Sequence, residues 1–149
     1  MTYKIEFVAG EHHPKRSVCF LISDDKKINA KREFDKLSKK NDSKEKALRS
    51  RFDWWRDNQP NKPHRYHGWD KSEFGGKFTK CFVFKANPHR LYGFLTNPKP
   101  SDQSYQICAL VCHAEKNKHE SDETDLKRVE KFRTIMAIQK AIKKKFKGK

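Results

Sequence analysis

Residues 78–119, FTKCFVFKANPHRLYGFLTNPKPSDQSYQICALVCHAEKNKH, hold three apolar runs separated by turn signals, and their reading decides the fold. Phe78 to Ala86 and Arg90 to Thr96 flank Asn87-Pro88-His89. A proline there removes a backbone donor and fixes φ, so the two runs form a β-hairpin. Tyr105 to Ala114 is rich in residues suited to a pleated, partly buried surface, and Pro98, Pro100, Ser101 and Asp102 set it off as a separate strand. Three antiparallel strands in succession make a meander.

Upstream, Tyr3, Ile5 and Phe7 alternate with Lys4 and Glu6 in the period-2 pattern of a half-buried strand. Val18 to Ile22 is a second apolar run after the turn-rich GEHHPKR, and the two runs pair as an N-terminal hairpin. The pattern changes at Asn29: Ala30, Phe34 and Leu37 recur at helical spacing, with Asn29 as cap. Asn41-Asp42-Ser43 breaks this helix and caps another, whose stripe of Ala47, Leu48, Phe52 and Trp55 runs down to Asn58-Gln59-Pro60. This is a helical hairpin that lays its stripe on a sheet face. The Trp54-Trp55 doublet then reads as one core position and one rim position.

Residues 58–77, NQPNKPHRYHGWDKSEFGGK, show no sustained period and read as a long loop. Such loops are often functional, and Arg65, Tyr66, His67 and Trp69 combine cationic and stacking side chains suited to nucleic acid. After the meander, Ser121 is the candidate cap of one C-terminal helix whose stripe includes Leu126, Val129, Phe132, Ile135, Met136, Ile138 and Ile142. Residues 143–149 read as a fraying basic arm.

One domain is expected for 149 residues, comprising an N-terminal hairpin over 1–22, the 58–77 loop and the basic tail. The fold class is α+β: N-terminal strands and a helical hairpin, then an antiparallel meander and a C-terminal helix. Thirty-five Lys and Arg against nineteen Asp and Glu leave +16, a field that attracts polyanions and favours nucleic acid over an anionic membrane. The opening residues lack the apolar core of a signal peptide and no run is long enough to span a bilayer, so a soluble cytoplasmic protein without membrane partners is expected. Cys19, Cys81, Cys108 and Cys112 lie in apolar runs without CxxC spacing; they read as buried reduced thiols, and no metal or other cofactor is expected.

HRLYGFL at 89–95, with the apolar strand running into HAEKNKHESDETDLKRV at 113–129, resembles the RelE/ParE toxin superfamily, particularly its phage-type, HigB-like branch. The resemblance covers roughly residues 18–142. It implies a RelE-like fold and the toxin component of a type II toxin-antitoxin pair, with a cognate antitoxin as partner. Many members cleave mRNA on the ribosome without metal, which makes an endoribonuclease the leading expectation. Others poison DNA gyrase without nuclease activity, and a non-catalytic nucleic-acid-binding accessory protein is a third reading.

Metal-free RNA cleavage needs a base for the ribose 2′-OH, a cation for the charged phosphorane and an acid for the leaving oxygen. Arg90 matches the superfamily's strand Arg, and its fork suits a phosphate; a carboxylate-paired Arg is the structural alternative. Tyr92, two residues on, projects from the same strand face and serves either to contact nucleic acid or to fill the core. His113, Lys116, Lys118 and His119 follow the last strand. His113 is the expected proton carrier, Lys116 and Lys118 the expected catalytic or phosphate-contacting lysines, and His119 a further nucleic-acid contact. A lysine acting as base needs its pKa lowered by burial or neighbouring cations. No Tyr or His follows His119, so the role that some members give to their last helix passes to His113, His119, Tyr66 or His67.

Overall fold

Alternating apolar residues build strands and 3.6-period stripes build helices along most of the chain, and the computed structural model describes residues 2–8, 15–57, 60, 62–116 and 121–146. Strands β1 (Tyr3–Phe7) and β2 (Arg16–Ser23) form the expected N-terminal hairpin. Helices α1 (Ala30–Lys39) and α2 (Ser43–Arg56) form the helical hairpin. Asp42 caps α2, accepting from the Lys44 backbone N–H at 2.8 Å.

The 58–77 segment is not wholly loop. Tyr66–Gly68 is a short strand, β3, paired antiparallel with β4 (Cys81–Ala86), and Phe74–Gly76 is a single 3-10 turn. The meander is completed by β5 (His89–Thr96) and β6 (Gln106–Glu115). The six-stranded sheet runs β1-β2-β6-β5-β4-β3, and its β2/β6 pair is parallel. The N-terminal hairpin is thus integral to the sheet, with β2 lying beside the last strand of the meander.

The C-terminal segment is two helices rather than one, α3 (Glu123–Arg133) and α4 (Met136–Phe146). At the break, Thr134 Oγ1 donates to the carbonyls of Glu130 and Lys131, a local bond that competes with helix continuation. Residues 143–146, expected to fray, complete α4, and Phe146 is buried against Phe7 and Tyr105. Residues 147–149 lie outside the described residues.

Helices cover both sheet faces. Phe34, Leu48, Phe52 and Trp55 of α1 and α2 pack on Phe20, Phe82, Phe84, Leu91 and Leu110. Leu126, Val129, Phe132, Ile138 and Ile142 of α3 and α4 pack on Leu21, Val83, Tyr92, Phe94 and Ala109. All four cysteines are free and buried, and burial pushes the Cys19 and Cys112 thiols up to about 12. Among the described residues no helix is long and apolar enough to cross a membrane.

One irregularity sets the faces of the β5/β6 ladder. Tyr92 opposes Cys112 while Gly93 opposes Leu110, so Val111 is an extra residue, a β-bulge in β6. Gly93 makes room for it: a Cβ there would collide with the Ala109 carbonyl oxygen and sit 3.0 Å from the Leu110 Cα. These obstacles are backbone and cannot rotate away. Gly93→Ala is therefore expected to cost about 2–3 kcal/mol of stability, read as a lower urea midpoint at unchanged slope.

Candidate nucleic-acid interface

Two-residue spacing sends Arg90 and Tyr92 to the sheet face that α3 covers. Arg90 is 3% exposed, and its Nη1 donates to Asp122 Oδ1 at 2.6 Å. The Tyr92 hydroxyl donates to the same oxygen. Burial works against the Arg90 charge, but the hydrogen bond to Tyr92 and the Asp122 carboxylate outweigh it and hold the guanidinium pKa above its ordinary value. Burial, then the bond to Asp122, raises the Tyr92 pKa as well. Asp122 occupies the α3 N-cap position, yet its side chain makes no capping bond; Ser121 Oγ accepts the Glu123 backbone N–H instead. Arg90 and Tyr92 thus clasp the start of α3 to the sheet. The expected exposed phosphate contact at Arg90 is replaced by the carboxylate-paired alternative.

Lys116 is occupied in the same way. Its Nζ donates to the Ser121 carbonyl at 2.7 Å and pairs with Asp125, and its backbone N–H donates to Pro88 O at 2.8 Å. Lys118 and His119 lie outside the described residues. His113 does not join Arg90. Because of the bulge, Arg90 opposes Ala114 and Leu91 opposes His113, and opposed side chains share a face. His113 therefore points to the α1 side, where its Nε2 lies 3.0 Å from His89 Nδ1. Its backbone N–H donates to Asn29 Oδ1, so Asn29 ties α1 to β6 rather than capping α1. Cys108 and Cys112 pack in cores on opposite faces, which rules out their forming one metal site with His113.

The long segment divides. Tyr66 is fully buried, its hydroxyl donating to Pro60 O, and Trp69 is core on the α3 side, so neither is a stacking platform. His67 opposes Val83 and so faces the Arg90 side, and Lys85 directly opposes Arg90. Sequence reading missed Lys85, treating its strand as scaffold; its sign was the one charge within CFVFKA at 81–86. Burial first, then the charge of Arg90, lowers the Lys85 pKa. Burial also lowers that of His67. In neutral His67 the Nδ1 proton is directed to Gly68 O at 2.8 Å, which assigns the free lone pair to Nε2.

On the other side of the β3/β4 edge, half-buried Trp54 holds two cations over its ring, Lys62 Nζ at 5.0 Å and Arg65 Cζ at 4.7 Å from the centroid. Arg51 lies in their field: burial first, then Arg65, lowers its pKa. Its Nη1 donates to Ala47 O, and its buried Nε has no hydrogen-bond partner. Among the described residues none of Arg51, Lys62 and Arg65 is in an ion pair within 4.0 Å. Arg65 O accepts the Lys85 N–H at 2.7 Å, so this unpaired group adjoins the Lys85 and His67 side of the edge. A separate cleft of about 700 Å³ lined by Lys15, Arg16, Arg56, Gln103 and Ser104 opens near the C-terminal end of α2.

Comparisons with protein-family models, curated proteins and solved structures return no match.

A buried pair broken from one side leaves an uncompensated charge. Asp122→Ala is therefore expected to cost about 3–5 kcal/mol, measured by chemical denaturation, whereas Arg90→Met with Asp122→Leu recovers most of the loss. An unchanged midpoint for Asp122→Ala would remove the clasp from the account of stability.

Proposed function

We propose that this protein binds RNA through its phosphate backbone along the β3/β4 edge. The observation that carries this is the pair of Lys62 and Arg65 over Trp54, with Arg51 in the field of Arg65, all without a carboxylate within ion-pair distance among the described residues, in a chain of net charge +16. Like charges brought together on a folded surface cost free energy, and a polyanion recovers that cost. The indole holds Lys62 and Arg65 close to one another, which reduces the entropy lost when they meet a phosphate.

Binding is expected to show a steep linear dependence of log K on log salt and little sequence preference. Replacing Arg51, Lys62 and Arg65 together by Ala is expected to lower the slope on single-stranded RNA by about 2, at about 0.7 per phosphate contact, with unchanged circular dichroism. An unchanged slope would transfer binding elsewhere, with the lysines of α4 next in line.

A finer reading adds cleavage: a metal-independent, ribosome-dependent mRNA endonuclease of RelE/ParE type, neutralised by a cognate antitoxin. Two observations favour it. Within a longer chain of elements, β2, the α1/α2 hairpin, the β4–β6 meander and α3 follow one another in the order the resemblance implies, with β3 added before the meander and α4 after α3. The Lys85 pKa is also shifted downward, the direction a lysine base requires, beside Arg90, and its backbone N–H bonds to Arg65 of the phosphate-binding group. In this reading Lys85 takes the 2′-OH proton, Arg90 helps to lower the Lys85 pKa, and water protonates the leaving 5′ oxygen.

Expression is then expected to arrest growth, and purified ribosomes to yield new primer-extension ends. Lys85→Met should slow cleavage at least about 100-fold with RNA affinity nearly unchanged. Arg90→Ala is a poor probe because it also breaks the clasp. Intact mRNA with inhibited supercoiling would select a gyrase inhibitor instead, and neither effect would leave RNA binding alone.

A further inference from the structure

We infer that His89, His113 and Glu115 form a binding site for a zinc-class divalent cation at the end of the β5/β6 ladder, on the face opposite Arg90. His89 opposes Glu115 in the ladder and His113 lies two residues before Glu115, so the bulge that removes His113 from Arg90 gathers all three side chains on the α1 face. His89 Nδ1 is 3.0 Å from His113 Nε2 and 3.8 Å from the Glu115 carboxylate, and the three donor atoms lie within 4.8 Å of one another.

A tetrahedral ion with bonds of about 2.0–2.1 Å separates its donors by about 3.3–3.4 Å. The two shorter separations bracket that value. Small rotations therefore bring the donors to bonding distance. Two imidazoles and one carboxylate suit zinc and its neighbours in the transition series, whereas calcium and magnesium take more oxygen donors. With three protein ligands the fourth position is open, and Glu115, 64% exposed, lies on the solvent side.

The ligands stand on fixed backbone. The His113 N–H is held by Asn29, and Pro88, next to His89, accepts the Lys116 N–H, tying the start of β5 to the end of β6. The charged groups that α1 presents to the site are Glu33 and Lys36, which pair with each other at 3.1 Å, so α1 opposes the cation with little net charge. Without an ion, the facing imidazole nitrogens satisfy each other only when one carries a proton; an ion accepts both lone pairs. This site is independent of the proposed RNA surface and of any cleavage there. Its placement joins the two central strands just beyond the bulge, where the ladder is weakest.

The test is titration of the full chain, stripped with chelator under reducing conditions, with Co2+ and then with Zn2+. One equivalent of Co2+ should give the intense visible bands of a four-coordinate nitrogen and oxygen site, without thiolate charge transfer, and one equivalent of Zn2+ should displace it. His113→Gln and Glu115→Gln should each weaken binding at least tenfold, and the double variant should abolish the bands. Glu115 is exposed, so Glu115→Gln tests the site even if a histidine variant folds poorly. The inference is overturned if the bands are absent, if they carry thiolate character, or if Glu115→Gln and the double variant bind like the parent, which would assign the ion to another site.

Discussion

The single extra residue in β6 governs how chemistry is distributed over this molecule. Val111 has no partner in the ladder, and beyond it every side chain of β6 changes face relative to an uninterrupted register. Continued without the bulge, the pairing of Gly93 with Leu110 would set Arg90 opposite His113. With it, Arg90 shares its face with Ala114 and the start of α3, while His113 joins His89 and Glu115 beneath α1. Gly93 tolerates the distortion because it adds no Cβ where the backbone of Ala109 and Leu110 presses in.

The acidic residues are spent unevenly. Asp122 and Asp125 of the α3 segment take Arg90 and Lys116 from the sheet and hold the helix to it, while Glu130 pairs with Arg133 within α3. Along α1 and the first half of α2, Lys31, Lys36 and Arg49 have carboxylates three or four residues away or nearer. Arg51, Lys62 and Arg65 have none among the described residues within ion-pair distance. Exposed pairs of the α1 and α2 kind contribute little stability but do cancel field, so what remains is concentrated where pairing is missing.

The sequence disclosed elements whose cause is local. Period-2 alternation located β1, and apolar runs set off by turn signals located β2 and the meander; helical stripes located α1 and α2; Asp42 marked a helix start with a bond to its own neighbourhood. What it concealed depends on partners far along the chain. Asn29 looks like a cap, yet its side chain is diverted to His113, 84 residues away, and Asp122, at the start of α3, is taken by Arg90, 32 residues away. Tyr66 and Trp69 look like stacking residues in a polar loop, but β3 turns them into opposite cores. His89 looked like a turn residue, and only the ladder pairs it with Glu115. A bulge leaves no compositional mark apart from a permissive glycine, so the sequence carries no sign that His113 lies on the face opposite Arg90.

The same diversion makes Arg90 and Lys85 electrostatically unlike on the α3 face. Arg90 has a carboxylate and a hydroxyl partner, and its charge is stabilised. Lys85 lies opposite it, and among the described residues its Nζ has only the Pro63 carbonyl, at 3.3 Å, as a hydrogen-bond partner. Asp122 favours the Lys85 charge, but burial and the Arg90 guanidinium outweigh it. A fixed arginine neutralised by its own aspartate still destabilises a neighbouring ammonium when the aspartate lies beyond it, because the nearer charge dominates at short range. The clasp that secures α3 thus acts on Lys85 with both its members, the arginine opposing and the aspartate favouring the ammonium charge, while burial adds the larger opposition.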